Sequence, residues 1–109
     1  MTPEAKVKKK VKAILEGHGA YYAMPVGAGF GNAGVPDFLI CLRGRFVAIE
    51  CKANGGKTTK LQEKHLEDIR KAGGKAIVVD ETNYDDLHNW LDFVTMFGFA
   101  EGTEEKKSE

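Results

Sequence analysis

Two carboxylates and a lysine carry the first chemistry to consider in this chain. Asp37 follows Gly34-Val35-Pro36, and Glu50 stands two residues before Lys52. They lie in two β-rich runs, Asp37 to Leu42 and Arg45 to Lys52, separated only by Arg43-Gly44, which is the spacing of a tight hairpin. With those two residues as the turn, Leu42 faces Arg45, and counting back sets Asp37 directly opposite Glu50. Side chains opposed in this way have Cβ atoms about 4.5 to 5.5 Å apart, and like charges there are destabilising. A shared proton, a cation or a lysine must offset the repulsion. Lys52, two residues beyond Glu50, projects from the same face. The count depends on the turn: a three-residue loop with a glycine bulge would shift the pairing by one.

Paired hard oxygen donors beside a lysine suit Mg²⁺ or Mn²⁺, ions that take one or two carboxylates, several waters and substrate phosphate oxygens. An ion so placed acidifies a bound water and stabilises charge on a phosphodiester, while the lysine positions the nucleophile or neutralises developing charge. The chemistry implied is phosphodiester hydrolysis. Taken singly, Asp37 reads as a turn residue after proline, and Glu50 with Lys52 as an exposed ion pair. Together, at hairpin register inside otherwise apolar strands, they read as a site.

The elements that must position them follow from periodicity. Thr2-Pro3-Glu4 opens a helix over residues 3 to 16, with Val7, Val11, Ile14 and Leu15 as its apolar stripe. Tyr21 to Val26 reads as a strand, and the glycine-dense stretch Gly27 to Gly34 as a loop. The two central runs are apolar on both faces, so the hairpin belongs mid-sheet with cover on each side. Leu61, His65, Leu66 and Ile69 recur at helical spacing up to Gly73-Gly74; Lys75 to Asp80 is a short apolar strand. Asn83 is placed to cap a last helix carrying Leu87, Trp90, Leu91 and Val94. The order αβββαβα, with a crossover before the last strand, makes the sheet mixed and the class α/β.

Several tempting patterns carry less. Gly29-x-Gly31-x-x-Gly34 matches a dinucleotide fingerprint but precedes a strand, where that motif must open a helix. Gly56-Lys57-Thr58 lies between strand and helix, yet Cys51 occupies the position of a P-loop's first glycine. The glycine loop is better suited to flex over a substrate, with Gly29, Gly31, Asn32 and Gly34, and with Lys57 and Lys60 beyond the hairpin, as candidate substrate contacts. Tyr21, Tyr22 and Phe30 are possible stacking groups, although core packing is the commoner role for the tyrosines. His65 shares its helix's apolar stripe and reads as a packed core residue. His18 and His88 have no metal-ligand partners at useful spacing. Cys41 and Cys51 sit in apolar runs and read as buried, unbridged thiols.

Gly34-Val35-Pro36-Asp37, Ile49-Glu50-Cys51-Lys52, Gly55-Gly56-Lys57-Thr58 and Gln62, taken in that order, resemble the PD-(D/E)xK nuclease superfamily and, more narrowly, its VRR-NUC (virus-type replication and repair nuclease) branch. The resemblance runs from about Glu4 to Val79. It implies a restriction-endonuclease-like mixed sheet flanked by helices, in which Asp37, Glu50 and the Cys51 backbone carbonyl bind the metal and Lys52 is the catalytic lysine. Glu4 and Gln62 fall where members place supporting acidic and amide residues. Each also has a purely local explanation. Glu4 is a first-turn acid, and Thr59-x-x-Gln62 is a capping box, a job that would occupy the amide. The branch often carries an arginine just before its Gly-x-Pro-Asp, where this chain has Asn32-Ala33.

The remaining bounds are broad. A chain of 109 residues with 42% hydrophobic content fits one domain, over 1–97, followed by a charged tail over 98–109. No stretch is long and apolar enough to span a membrane, and the lysine-rich start is not followed by a signal-like apolar segment; the expected location is cytoplasmic, in a bacterial host cell if phage-encoded. Sixteen basic residues balance sixteen acidic ones, so net charge does not announce nucleic acid. Clustered lysines at Lys6 to Lys12 and Lys52 to Lys64 allow a local basic face or simply solvated helix surfaces. The expected partner is DNA, cut in a structure-selective way in phage or bacterial DNA metabolism. A homodimer through Trp90, Phe93, Phe97 and Phe99 would give so small a core enough surface to grasp it. The alternatives are a DNA-binding or assembly module on the same fold that has lost turnover, and a hydrolase of small phosphoesters, which would need a closed pocket.

Overall fold

Arg43-Gly44 closes the central hairpin with φ of 53° and 81°; two positive φ values at the centre are the pattern of a type I′ turn, whose twist suits the flanking strands. In a computed structural model that describes residues 1–26 and 33–98, this turn sets β2 (Phe38–Leu42) against β3 (Arg45–Cys51), Leu42 facing Arg45 and Phe38 facing Ile49. One more step along the same register places Asp37 opposite Glu50, as the turn length predicts.

β1 (Tyr21–Ala23) pairs antiparallel with β2, and β4 (Lys75–Val79) pairs parallel with β3, giving a mixed four-stranded sheet in the order β1-β2-β3-β4. β1 is shorter than its sequence suggests, ending at Ala23 rather than Val26. Helix α1 (Pro3–Gly17) begins at Thr2, whose hydroxyl accepts from the Ala5 N–H at 3.1 Å. Helices α2 (Lys60–Lys71) and α3 (Tyr84–Phe97) complete the expected order.

The alternation of β2 and β3 splits the interior into two clusters. Phe38, Ile40, Val47, Ile49 and Cys51 pack with Val7, Val11 and Leu15 of α1 and with Leu87, Leu91 and Val94 of α3. On the other face, Ala48 and Ala76 meet Leu66 of α2, with Leu39 and Ile69 beside them. The hairpin is therefore covered on both sides, which is why its strands are apolar throughout. Two alanines on the α2 face let that helix approach closely, and a close approach brings its first turn to the end of β3.

Cys41 departs from expectation. It is a free thiol exposed at the surface, facing Tyr21 of the short edge strand β1, where neither helix layer covers it. Asn83 also differs: it precedes α3 but makes no side-chain cap. Its Oδ1 accepts from the Asp80 N–H at 2.9 Å and its Nδ2 donates to the Val78 carbonyl at 2.9 Å. With Arg70 Nη2 donating to the Ala76 carbonyl at 2.8 Å, these contacts occupy the outward carbonyls of β4 and blunt an edge that could otherwise recruit a strand. Among the described residues, no helix is long and apolar enough to cross a membrane.

Candidate functional site

Pro36 ends the ladder at the mouth of the hairpin and thereby frees two backbone groups. Counting on from Phe38 opposite Ile49, the residue across from Cys51 is Pro36. Lys52 donates its N–H to the Val79 carbonyl at 3.0 Å, so in the extended strand the N–H and carbonyl of Cys51 face the other way, toward β2. The N–H is taken up by Asp37, whose Oδ2 accepts it at 2.8 Å. Pro36 has no N–H to offer the carbonyl, which leaves that oxygen directed at the same side as Asp37.

Carboxylates from three elements converge there. Glu4 in the first turn of α1, Asp37 ahead of β2 and Glu50 near the end of β3 each bring an oxygen within 4.8 Å of the others. Glu50 is 2% exposed and the only buried charged residue among those described. Burial, followed by the charge of Asp37, raises its pKa from 4.5 to about 7 against the opposing pull of Lys52. Lys52 Nζ lies 3.8 Å from Glu50 Oε2, on the same face as strand alternation requires.

Gln62 corrects the expectation that it could do only one job. Its Oε1 accepts from the Thr59 N–H at 2.9 Å while its backbone N–H reaches Thr59 Oγ1 at 3.1 Å, a complete capping box. Its Nε2, the end a capping box does not use, donates to Glu50 Oε2 at 3.2 Å. One amide thus starts α2 and orients Glu50.

Lys8 was not singled out by sequence, being one of five lysines between Lys6 and Lys12. Its Nζ is 3.4 Å from Asp37 Oδ1 and 4.0 Å from Glu4 Oε2. Partial burial disfavours its charge, but Asp37 and Glu4 outweigh that and raise its pKa. The signal that could have found it is spacing: Lys8 is i+4 from Glu4 and so shares its helix face.

The donor set fits a divalent cation. Hard oxygens from Asp37, Glu50 and Glu4, with the Cys51 carbonyl beside them, are the ligand chemistry of Mg²⁺ or Mn²⁺, and a buried carboxylate held next to another gains most from a cation. Cys51 itself offers no thiolate, since burial pushes its pKa up.

The other predicted contacts are more scattered. Gly34 has φ of +81°, and a Cβ there would stand 2.7 Å from Leu61 Cγ and 3.1 Å from His65 Cδ2, so its smallness seats α2 against the loop. His65 is half-buried at that contact. Lys57 is exposed on the segment joining Lys52 to α2 and Lys60 is exposed at the first residue of that helix, while Gly29, Phe30, Gly31 and Asn32 lie outside the described residues. Tyr22 packs edge-on to Phe38 with ring centroids 5.8 Å apart, but Tyr21 is 76% exposed. His18 and His88, seventy residues apart, meet in the fold: His18 Nε2 and His88 Nδ1 are 3.0 Å apart, and Asp92 lies 3.5 Å from His18 Nδ1, yet among the described residues these groups form no metal-ligand set.

No family model and no curated protein matches the chain. Comparison with solved structures gives a clear answer. A structure described as a VRR_NUC domain aligns with 88% of this chain and 97% of its own length, at 26% identity and a TM-score of 0.65. The fold is that of a VRR_NUC domain. The resemblance read from Gly34 to Asp37 and from Ile49 to Lys52 is borne out. A second match, Hjc from Archaeoglobus fulgidus, a Holliday junction resolvase, aligns over 72% of this chain and 69% of its own, at 18% identity and a TM-score of 0.54. It shares the restriction-endonuclease-like sheet with the VRR_NUC fold.

Proposed function

We propose that this chain is a metal-dependent nuclease that hydrolyses DNA phosphodiester bonds, structure-selectively and in phage or bacterial DNA replication, repair or recombination. The observation that carries the reading is the convergence of Glu4, Asp37 and Glu50 within 4.8 Å, with Lys52 beside Glu50. In this reading Asp37, Glu50 and the Cys51 carbonyl hold Mg²⁺ or Mn²⁺, and Glu4 supports them. When bound, the ion supplies charge to the scissile phosphate and acidifies a water. Lys52, held at the site by Glu50, orients the attacking water and neutralises charge developing on the phosphate. Gln62 fixes the Glu50 carboxylate, and Asp37 is fixed by the Cys51 N–H. Gly29, Gly31, Asn32, Gly34, Lys57 and Lys60 are assigned to the substrate side.

A module that only bound DNA would gain nothing from a buried Glu50 facing Asp37, since that arrangement costs stability without a cation. Of the residues expected at a dimer interface, Phe93 and Phe97 are exposed on α3 with Met96 beside them, Trp90 packs against the core and Phe99 lies outside the described residues. The exposed three form an apolar face suited to a second copy, and a homodimer would present two such centres to a branched substrate.

Cleavage of labelled linear, flapped and four-way DNA with Mg²⁺, Mn²⁺ or EDTA, comparing wild type with Asp37→Ala, Glu50→Ala and Lys52→Ala, tests the reading. Metal-dependent cutting lost in each folded variant is expected. Binding without cutting under every metal would return the chain to the DNA-binding module, and cutting that survives Glu50→Ala would overturn the assignment.

A further inference from the structure

We propose that Lys8 is an internal counter-cation that holds the divalent ion's place at Asp37 while the centre is metal-free and turns outward to a DNA phosphate once an ion is bound. The inference rests on the metal-nuclease reading above and adds a residue and an exchange step to it.

The argument begins with the oxygens of Asp37. Oδ2 is committed to the Cys51 N–H, so Oδ1 is the oxygen left for a cation. That atom is the one Lys8 Nζ approaches, at 3.4 Å. The same ammonium lies 4.0 Å from Glu4 Oε2 and so bridges two of the three carboxylates that converge on the centre. A lysine and a divalent ion therefore compete for one oxygen and one region of negative potential.

The two lysines of the site are not equivalent. Lys52 has a side chain only 12% exposed and is tied to Glu50 from the strand. Lys8 has a side chain 37% exposed and stands on the rim, carried by a helix whose Val7 and Val11 anchor it in the core. Its backbone cannot withdraw when an ion enters, but its four-carbon stem can swing. Repelled by two new positive charges, the ammonium finds its nearest alternative anion at the open mouth, where a DNA phosphate must lie for hydrolysis to occur. Exchange of this kind limits the exposure of unpaired carboxylates in the empty protein and brings a phosphate contact into play only when the centre is loaded.

Mn²⁺ binding without DNA, followed by the electron paramagnetic resonance of free Mn²⁺ at pH 8, where Glu50 is ionised, reads the competition directly. Lys8→Met should bind Mn²⁺ roughly three- to tenfold tighter than wild type, and Lys8→Arg, which keeps the charge, should stay within about twofold. DNA affinity with Ca²⁺ in place of Mg²⁺, measured against salt, reads the second role: the slope for duplex should fall by about 0.9 in Lys8→Met, one phosphate contact fewer. Equal, measurable Mn²⁺ affinities in wild type and Lys8→Met would overturn the competition, and an unchanged salt slope would overturn the phosphate contact. Failure of both proteins to bind Mn²⁺ at millimolar concentration would instead overturn the metal centre itself, and this inference with it.

Discussion

Replacing Glu50 by glutamine should make the metal-free protein more stable at pH 8 while destroying its metal response. Glu50 is buried, and burial together with Asp37 raises its pKa from 4.5 to about 7. An acid whose folded value lies above its unfolded one binds more protons in the native state between the two. Stability therefore falls as pH rises through that window, and the cost is complete above about pH 7 and absent below about pH 4.5. At about 1.4 kcal/mol for each tenfold change, the ceiling is about 3 kcal/mol. Glutamine keeps an oxygen to accept from Gln62 and carries no charge to desolvate. Lys52, however, loses its partner, so a relative gain of about 1 to 2 kcal/mol is expected. Urea unfolding in EDTA at pH 5 and pH 8 isolates this, because the two proteins differ at this one residue and contributions common to both cancel in the comparison. Wild type should lose stability between the two pH values relative to Glu50→Gln, and Mn²⁺ at pH 8 should restore wild type alone. Parallel pH profiles would refute the reasoning, since the carboxylate would then carry no folded-state penalty for an ion to relieve.

Three further outcomes are expected. Gln62→Ala removes both a cap partner of α2 and the Glu50 donor and should cost about 1 to 2 kcal/mol, whereas Gln62→Glu restores the capping box but sets another carboxylate beside Glu50. Its Mn²⁺ binding should therefore need a higher pH than wild type, and identical pH midpoints would show that the Gln62 contact does not act on the site. If α3 mediates a homodimer, light scattering should give about twice the 11.9 kDa chain mass for wild type and a single mass for Phe93→Asp, and a monomeric wild type would exclude that interface.

The parts of this structure legible in the sequence are those governed by counting. A two-residue turn fixes the register of β2 and β3, and with it the pairing of Asp37 and Glu50, because side-chain alternation leaves no freedom once the turn is set. What escaped is what depends on packing across elements. The capping motif accounts for one end of Gln62, but only the approach of α2 to β3 shows what the other end touches. Lys8 is hidden in a lysine run whose members look alike until α1 is docked. His18 and His88 meet only because α1 and α3 cover the same sheet face. Cys41 reads as buried from its apolar neighbours, yet neither helix layer reaches its place on the sheet face.

The Arg43-Gly44 turn lies at the far end of the hairpin from Asp37, Glu50 and Lys52, yet it acts as the ruler of the centre. Five strand residues separate it from Asp37 and five from Glu50, so a single residue gained or lost at the bend would turn one acid to the opposite face of the sheet with all its neighbours. Length at this remote and solvent-facing corner is therefore constrained as tightly as chemistry at the mouth. A deletion there would silence the protein while leaving each of its reactive side chains in the sequence.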